Sequence, residues 1–259
     1  MIDLTFSFAD LEYFLMILMR IATFVFSAPF FGMSNVPRRV KIVFAVFLSY
    51  IVYGIIPNQA VEYNSVFAYA LIVIKEALCG LIIGYGANIC TAILNFAGHL
   101  ADMDTGLSMA SLYDPITKES VTISGTIFQY SVTLIMFISG LYQFVLMAIV
   151  DSFTLIPING AIFNTENLVL SMGKFMLDYL VIGFRICLPI FCGILLLNAV
   201  LGILAKVSPQ LNMFAVGMQL KVLSGLALLL ITMTLLPKIS TMIMSETREI
   251  VTLLVESMT

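Results

Sequence analysis

His99 is the only histidine in the chain; Asp102 follows three residues later, with Asp104 close behind. On a helix, residues three apart share a face, so His99 and Asp102 could exchange a proton or contribute to a metal shell. A metal needs more ligands than this pair and Asp104 supply, and no HExxH run or Cys/His set accompanies them. The glycine-rich phosphate cradles GxGxxG and GxxxxGK[ST] are absent from the sequence. A hydrolase working within a membrane would want Ser or Asp beside a base inside apolar helices, and no such pair stands out. The residues therefore predict no catalytic centre, no metal, no cofactor and no enzyme, and His99 with Asp102 reads as a polar helix end.

A second set of charged side chains sits where charge is expensive. Arg20, Lys75, Glu76, Asp178, Arg185 and Lys221 each lie inside an apolar run. An uncompensated charge at the centre of a membrane helix costs ~2.5–3.5 kcal/mol on insertion scales. Salt bridges between packed helices would relieve that cost, with Glu76 paired to Arg20 or to Arg185. A proton or ion relay is the other arrangement, but a relay wants carboxylates or histidines at several depths, and here Arg and Lys predominate. The expectation is charges buried for packing.

The elements that position these residues are apolar throughout. Of 259 residues, 61% are hydrophobic and 10% charged, and the mean hydropathy is +1.09. Soluble domains carry roughly 45–50% apolar and about 25% charged residues, so the class is an all-α integral membrane protein built of long helices and hairpins. Apolar runs recur to the end of the chain and no small-residue cleavage site follows the first, so a signal peptide does not explain them. The net charge of −3 gives no reason to expect nucleic acid. Cys79, Cys90, Cys187 and Cys192 lie in apolar runs without CxxC spacing and are expected as free thiols packed like small hydrophobes.

Six apolar segments can be read, over residues 11–31, 42–57, 66–97, 123–150, 175–205 and 214–236. The third exceeds the ~20 residues that a bilayer requires. Arg38, Arg39 and Lys41 make residues 35–41 the densest basic cluster, which the positive-inside rule puts on the cytoplasmic side; the remaining Lys/Arg asymmetry favours both termini outside. Residues 152–167, rich in Pro, Gly and Asn, read as a loop. Gly80 and Gly84 form a GxxxG, followed by Gly86, that would let helices approach closely. Pro189 should kink or break the fifth helix, and residues 207–212 should turn tightly into the sixth. Asp114-Pro115 looks like an N-cap followed by proline at the first helical position, starting the fourth helix. Residues 238–259 read as an amphipathic helix on a surface or against a partner.

Residues 98–118 interrupt this pattern with His99, Asp102, Asp104, Asp114, Gly106, Ser108, Ala110 and Ser111. Such a segment cannot face lipid alone, because its backbone polar groups would go unpaired. It must meet water, lie under protein or line an aqueous cavity.

An ordered set of short motifs then resembles a known family. Arg20, the run Pro29-Phe30-Phe31-Gly32, the run from Val36 through Pro37, Arg38, Arg39 and Val40 to Lys41, Glu76 with Gly80 and Gly84, and Gly106-Leu107-Ser108 all fit it. So do Asp114-Pro115, Val150-Asp151-Ser152-Phe153, and the block running from Pro189 through Asn198, Gly202 and Pro209-Gln210-Leu211-Asn212 to Lys221. Together they resemble the FliR/SctT family of type III secretion export gates, with the basic run leaning to the flagellar branch.

The resemblance implies one domain over residues 1–259, with a FliP-like part (1–165) and a FliQ-like hairpin plus amphipathic tail (166–259). It also implies one copy of the chain in a gate with FliP-like and FliQ-like subunits, and a FliB-independent contact to an FlhB-like subunit. The location would be the bacterial inner membrane at the flagellar basal body, and the cargo unfolded secreted protein. Family-motif turns would fall at Pro37, Arg38, Lys41, Pro209, Gln210 and Asn212. A plug closing the channel would use Met103, Asp104, Gly106, Leu107, Ser108, Met109, Asp114 and Pro115. Asp104-Thr105 departs from the Gln-Met that the family commonly has before the glycine. A virulence-type gate subunit and a stand-alone ion or small-molecule transporter are the alternatives.

Overall fold

Arg20 shows how the first helix is built. Helix α1 (Phe8–Ser27) buries Met16, Ile17, Ile21, Phe24 and Val25 around it, the three-to-four residue recurrence of one helical face. In the computed structural model, which describes residues 8–33, 35–57, 63, 65–110, 112–114, 119–208 and 213–258, the chain continues as α2 (Arg38–Ile55), α3 (Val66–Thr105) and a 3-10 turn (Leu107–Ala110). A two-stranded ribbon, β1 (Leu112–Asp114) and β2 (Glu119–Val121), precedes α4 (Ile123–Ile138) and α5 (Leu141–Leu155). Then come α6 (Thr165–Val207), α7 (Met213–Thr232), a 3-10 turn and α8 (Leu236–Glu256). The architecture is all-α, and the antiparallel ribbon pairs Leu112 with Val121 and Asp114 with Glu119.

The chain divides into two units. The first takes Met1–Cys90, Gly140–Lys174 and Ser245–Thr259. In it α1 and α2 pack as a hairpin, with α2 burying only small or short residues, Ala45, Ser49 and Val52, besides Lys41. The GxxxG of α3 is the crossing with α1. A Cβ on Gly80 would overlap the Arg20 carbonyl, and one on Gly84 would overlap the Ser27 hydroxyl. Gly86 makes room for Leu254 of α8. The end of α8 also clamps the α5–α6 loop, since Ile162 N–H donates to the Met258 carbonyl at 3.1 Å and Asn164 N–H to that of Ser257 at 3.3 Å.

The second unit takes Thr91–Ser139 and Phe175–Met244. Its core holds Ile93, Leu94, Phe128, Val132, Ile186 and Ile190. Glycines again set the crossings. A Cβ on Gly98 of α3 would overlap the backbone of Gly125 of α4, and Gly183 of α6 sits over the Phe96 ring. The Tyr179 hydroxyl donates to the Ala92 carbonyl at 3.3 Å.

Several expectations are corrected. Helix α4 begins at Ile123, not at Asp114-Pro115: Asp114 lies in β1, and Pro115 falls outside the described residues. The fourth apolar segment is two helices, because Gly140 at φ 81 takes a left-handed conformation and turns the chain. Pro189 lies inside a continuous α6. It therefore does not break the fifth helix, although it has no N–H to donate to the carbonyl of Arg185, an exposed residue. Cys192 is exposed, whereas Cys79, Cys90 and Cys187 are buried. The turn at 207–212 has residues 209–212 outside the described set. The tail is amphipathic, but its apolar face, Ile239, Ile243, Ile250 and Leu254, is buried within the chain itself.

By length and composition, three stretches among the described residues can cross a membrane: α3, α6 and Val216–Glu256. The bent pair Ile123–Ile138 and Leu141–Leu155 gives a fourth. The first two of the six apolar segments are not among them. Helix α1 carries Asp10, Glu12 and Arg20, and α2 carries Arg38, Arg39 and Lys41.

A Gly98→Val substitution should destabilise the second unit by about 1–3 kcal/mol, the usual range for overpacking, or more. Gly202→Ala, where a Cβ meets open space, should be neutral or stabilising by up to ~1 kcal/mol. Thermal aggregation of the two variants in membranes checks the contrast.

Candidate functional site

The most constrained cluster is built around the buried ion pair of Arg20 and Glu76. Arg20 Nε donates to Glu76 Oε2 at 2.6 Å, and neither side chain is exposed. Arg20 Nη1 donates to the carbonyls of Ser152 at 3.2 Å and Ile156 at 3.0 Å. These lie at the C-terminal end of α5, where a cation complements the helix dipole. The guanidinium carbon stands 4.3 Å from the centre of the Phe153 ring, a cation–π arrangement. Nη2 has no hydrogen-bond partner among the described residues. Glu76 Oε1 accepts the backbone N–H of Asn159 at 3.0 Å. Asn159 has φ 66 in a turn closed by Gly160 N–H on the Pro157 carbonyl at 2.8 Å, the third-position geometry that favours Gly or Asn.

Of the charges expected to be buried for packing, only Arg20 and Glu76 behave so. Lys75, Asp178 and Lys221 are half-buried and Arg185 is exposed, so Glu76 has Arg20 as its partner and not Arg185. A pair this enclosed exposes no proton to water and is built for position rather than transfer. Asn159 was missed by sequence reasoning because its main chain, not its side chain, makes the contact, and residue type carries no signal of that.

The second cluster is the junction of α3 with the ribbon. Asp102 is buried and accepts the Ser124 N–H at 3.3 Å on Oδ1 and 3.2 Å on Oδ2. It thereby caps α4 from another helix, while Thr122 at the N-cap position makes no side-chain capping hydrogen bond. His99 is exposed and takes no part. The Thr105 hydroxyl donates to the Ala101 carbonyl at 3.0 Å, Gly106 ends the helix at φ 81, and Thr105 packs against Gly225 of α7. Met103 is 70% exposed, Asp104 half-buried near the charge of Lys221, Leu107 buried and Ser108 exposed. Met109 continues the 3-10 turn. The segment sought as a plug is thus a short ribbon on two fixed stems.

The motif residues between α1 and α2 also come together. Lys41 is buried and donates to the Gly32 carbonyl at 2.9 Å, and the rings of Phe31 and Phe44 stack at 5.2 Å. Pro37 and Arg38 are exposed at the start of α2, while Pro209, Gln210 and Asn212 lie outside the described residues.

The family model described as bacterial export proteins, family 1, matches residues 11–247. The chain belongs to this family. Similar members include the flagellar biosynthetic protein FliR of Bacillus subtilis (strain 168), 31% identical over 229 residues and 86% of each chain. The FliR of Escherichia coli (strain K12) is 27% identical over 88% of this chain and 87% of its own. The FliR of Aquifex aeolicus (strain VF5) is 29% identical over 84% and 83%. The matched span of this export-family chain takes in both the Arg20–Glu76 pair and the α3–α4 junction.

Glu76→Leu should destabilise this export-family chain by ~3–5 kcal/mol, because the Arg20 charge is left buried without its acid. Arg20→Leu with Glu76→Leu should be milder than Glu76→Leu alone, since no unpaired charge remains. A double-mutant cycle on thermal unfolding in detergent measures the difference.

Proposed function

We propose that the chain is a non-enzymatic subunit of the flagellar type III protein export gate in the bacterial inner membrane, at the basal body. In this reading residues 1–165 are the FliP-like part and residues 166–259 the FliQ-like hairpin with its tail. FliP-like and FliQ-like subunits complete the channel wall, an FlhB-like subunit lies alongside, and unfolded protein passes through, driven by energy supplied elsewhere in the apparatus. The flagellar names of the relatives support the system.

The observation that carries the gating role is the tethered ribbon. Helix α3 runs for 40 residues; at its end, Asp102 on Ser124 and Thr105 on Gly225 fix where the connection leaves and returns. In this reading Met103, Asp104, Gly106, Leu107, Ser108, Met109, Asp114 and Pro115 contribute the plug, with Met103 and Asp104 on its α3 stem and the rest in the connection that follows. Regions with few buried apolar contacts open at low free-energy cost, and a plug requires such a region.

Deleting residues 106–111 should raise ion leakage in cells making the complete gate, measured as membrane depolarisation, while the gate still assembles. An assembled gate with unchanged leakage would count against the plug.

A further inference from the structure

The outer side of α2 takes part in neither the ion-pair cluster nor the plug. Val43, Phe47 and Tyr50 are 68%, 61% and 70% exposed there. The helix is 18 residues long, ~27 Å at 1.5 Å per residue, and cations fill three of its first four positions. Lys41 is occupied by the Gly32 carbonyl. Arg38 and Arg39 are exposed, the first turn holds no acid, and Pro37 supplies no side-chain cap. Two guanidiniums therefore stand at the positive end of a helix dipole, where an anion is favoured and a cation is not.

A groove of about 440 Å³ starts at Arg39 and runs along Val40, Val43, Phe44 and Phe47. Phe44 is held by its stack on Phe31. The walls are wholly apolar: Arg39 lines them through its hydrocarbon stem, with no polar group of any side chain facing the groove, so its guanidinium stands at the mouth beside Arg38. A partner's extended backbone laid there would leave its amides unpaired, and a free phosphate would leave the apolar length empty. A cationic head joined to an apolar trough matches an anionic amphiphile. We propose that this groove binds an anionic phospholipid, with Arg38 and Arg39 on the headgroup phosphate and an acyl chain along Val40 to Phe47. Basic residues at a membrane surface favour anionic lipid by about fivefold each.

The chain has no tryptophan, so Phe47→Trp creates a single fluorescent reporter in the groove. The full chain is placed in phosphatidylcholine vesicles containing, at equal mole fraction, either phosphatidylglycerol or phosphatidylcholine with brominated acyl chains. Brominated phosphatidylglycerol should quench the reporter several-fold more strongly, and Arg38→Gln with Arg39→Gln should remove that difference while leaving quenching by brominated phosphatidylcholine unchanged. Equal quenching by the two lipids, or a difference that survives the double substitution, overturns the proposal. Quenching by neither lipid, the result if protein covers the groove, also overturns it. Inorganic phosphate should leave the preference intact; its abolition would mark a phosphate site and overturn the lipid assignment. As a measurement free of the reporter, the unsubstituted chain purified in mild detergent should retain phosphatidylglycerol, and the Arg38→Gln, Arg39→Gln chain should lose it.

Discussion

A guanidinium with no exposure to solvent must find its acceptors inside the protein, and Arg20 finds them on two other stretches of chain. Its carboxylate partner comes from α3, and its carbonyl partners from the end of α5 and the residue beyond it. The second oxygen of Glu76 reaches into the α5–α6 turn. Removing two charges from water costs several kcal/mol per ion, so such a pair adds little net stability compared with apolar packing. What the pair supplies is position. With Arg20 placed on α1, α3 has one register that delivers Glu76 to it, and α5 one endpoint that presents Ser152 and Ile156.

The glycines make that register physically possible. Gly80 lies against the carbonyl of Arg20 itself, so α1 and α3 approach closely at the very turn where the ion pair forms. A side chain at Gly80 would move the helices apart and lengthen a 2.6 Å contact between groups that have no water to fall back on. Close approach and charge pairing are one constraint in two parts. The second unit uses the same device without charge, with Gly98 against Gly125 and the Asp102 cap one turn further along α3.

Much of this was legible in the residues. Apolar runs located most of the helices, the GxxxG marked a close approach without naming α1 as its partner, and Arg20 and Glu76 stood among six charges inside those runs. The choice between Arg20 and Arg185 as the partner of Glu76 was not legible, because both are arginines in apolar helices and only the three-dimensional packing buries one and exposes the other. The start of α4 was misread for a related reason. Asp114-Pro115 has the local chemistry of a helix start, but the functioning cap is Asp102, more than twenty residues upstream of Ser124, and capping rules operate on neighbours in sequence. The polar interruption at 98–118 was visible, whereas its pairing into a ribbon was not, since three-residue strands leave no usable periodicity.

Asp104-Thr105, the departure from the Gln-Met common in the resembling family, has a local physical account on α7. Thr105 keeps its hydroxyl on the carbonyl of Ala101 and turns its methyl to Gly225, where a Cβ would overlap it. A longer side chain at 105 has no room while α7 holds that approach. Lys221 lies four residues before Gly225 and so on the same face of α7, and both it and Asp104 are half-buried. The acid has a cation nearby, and the small residue beside it has a glycine to pack against. The contact of Thr105 with Gly225 therefore seats the stem of the ribbon against α7, and the small size of both residues is what allows it.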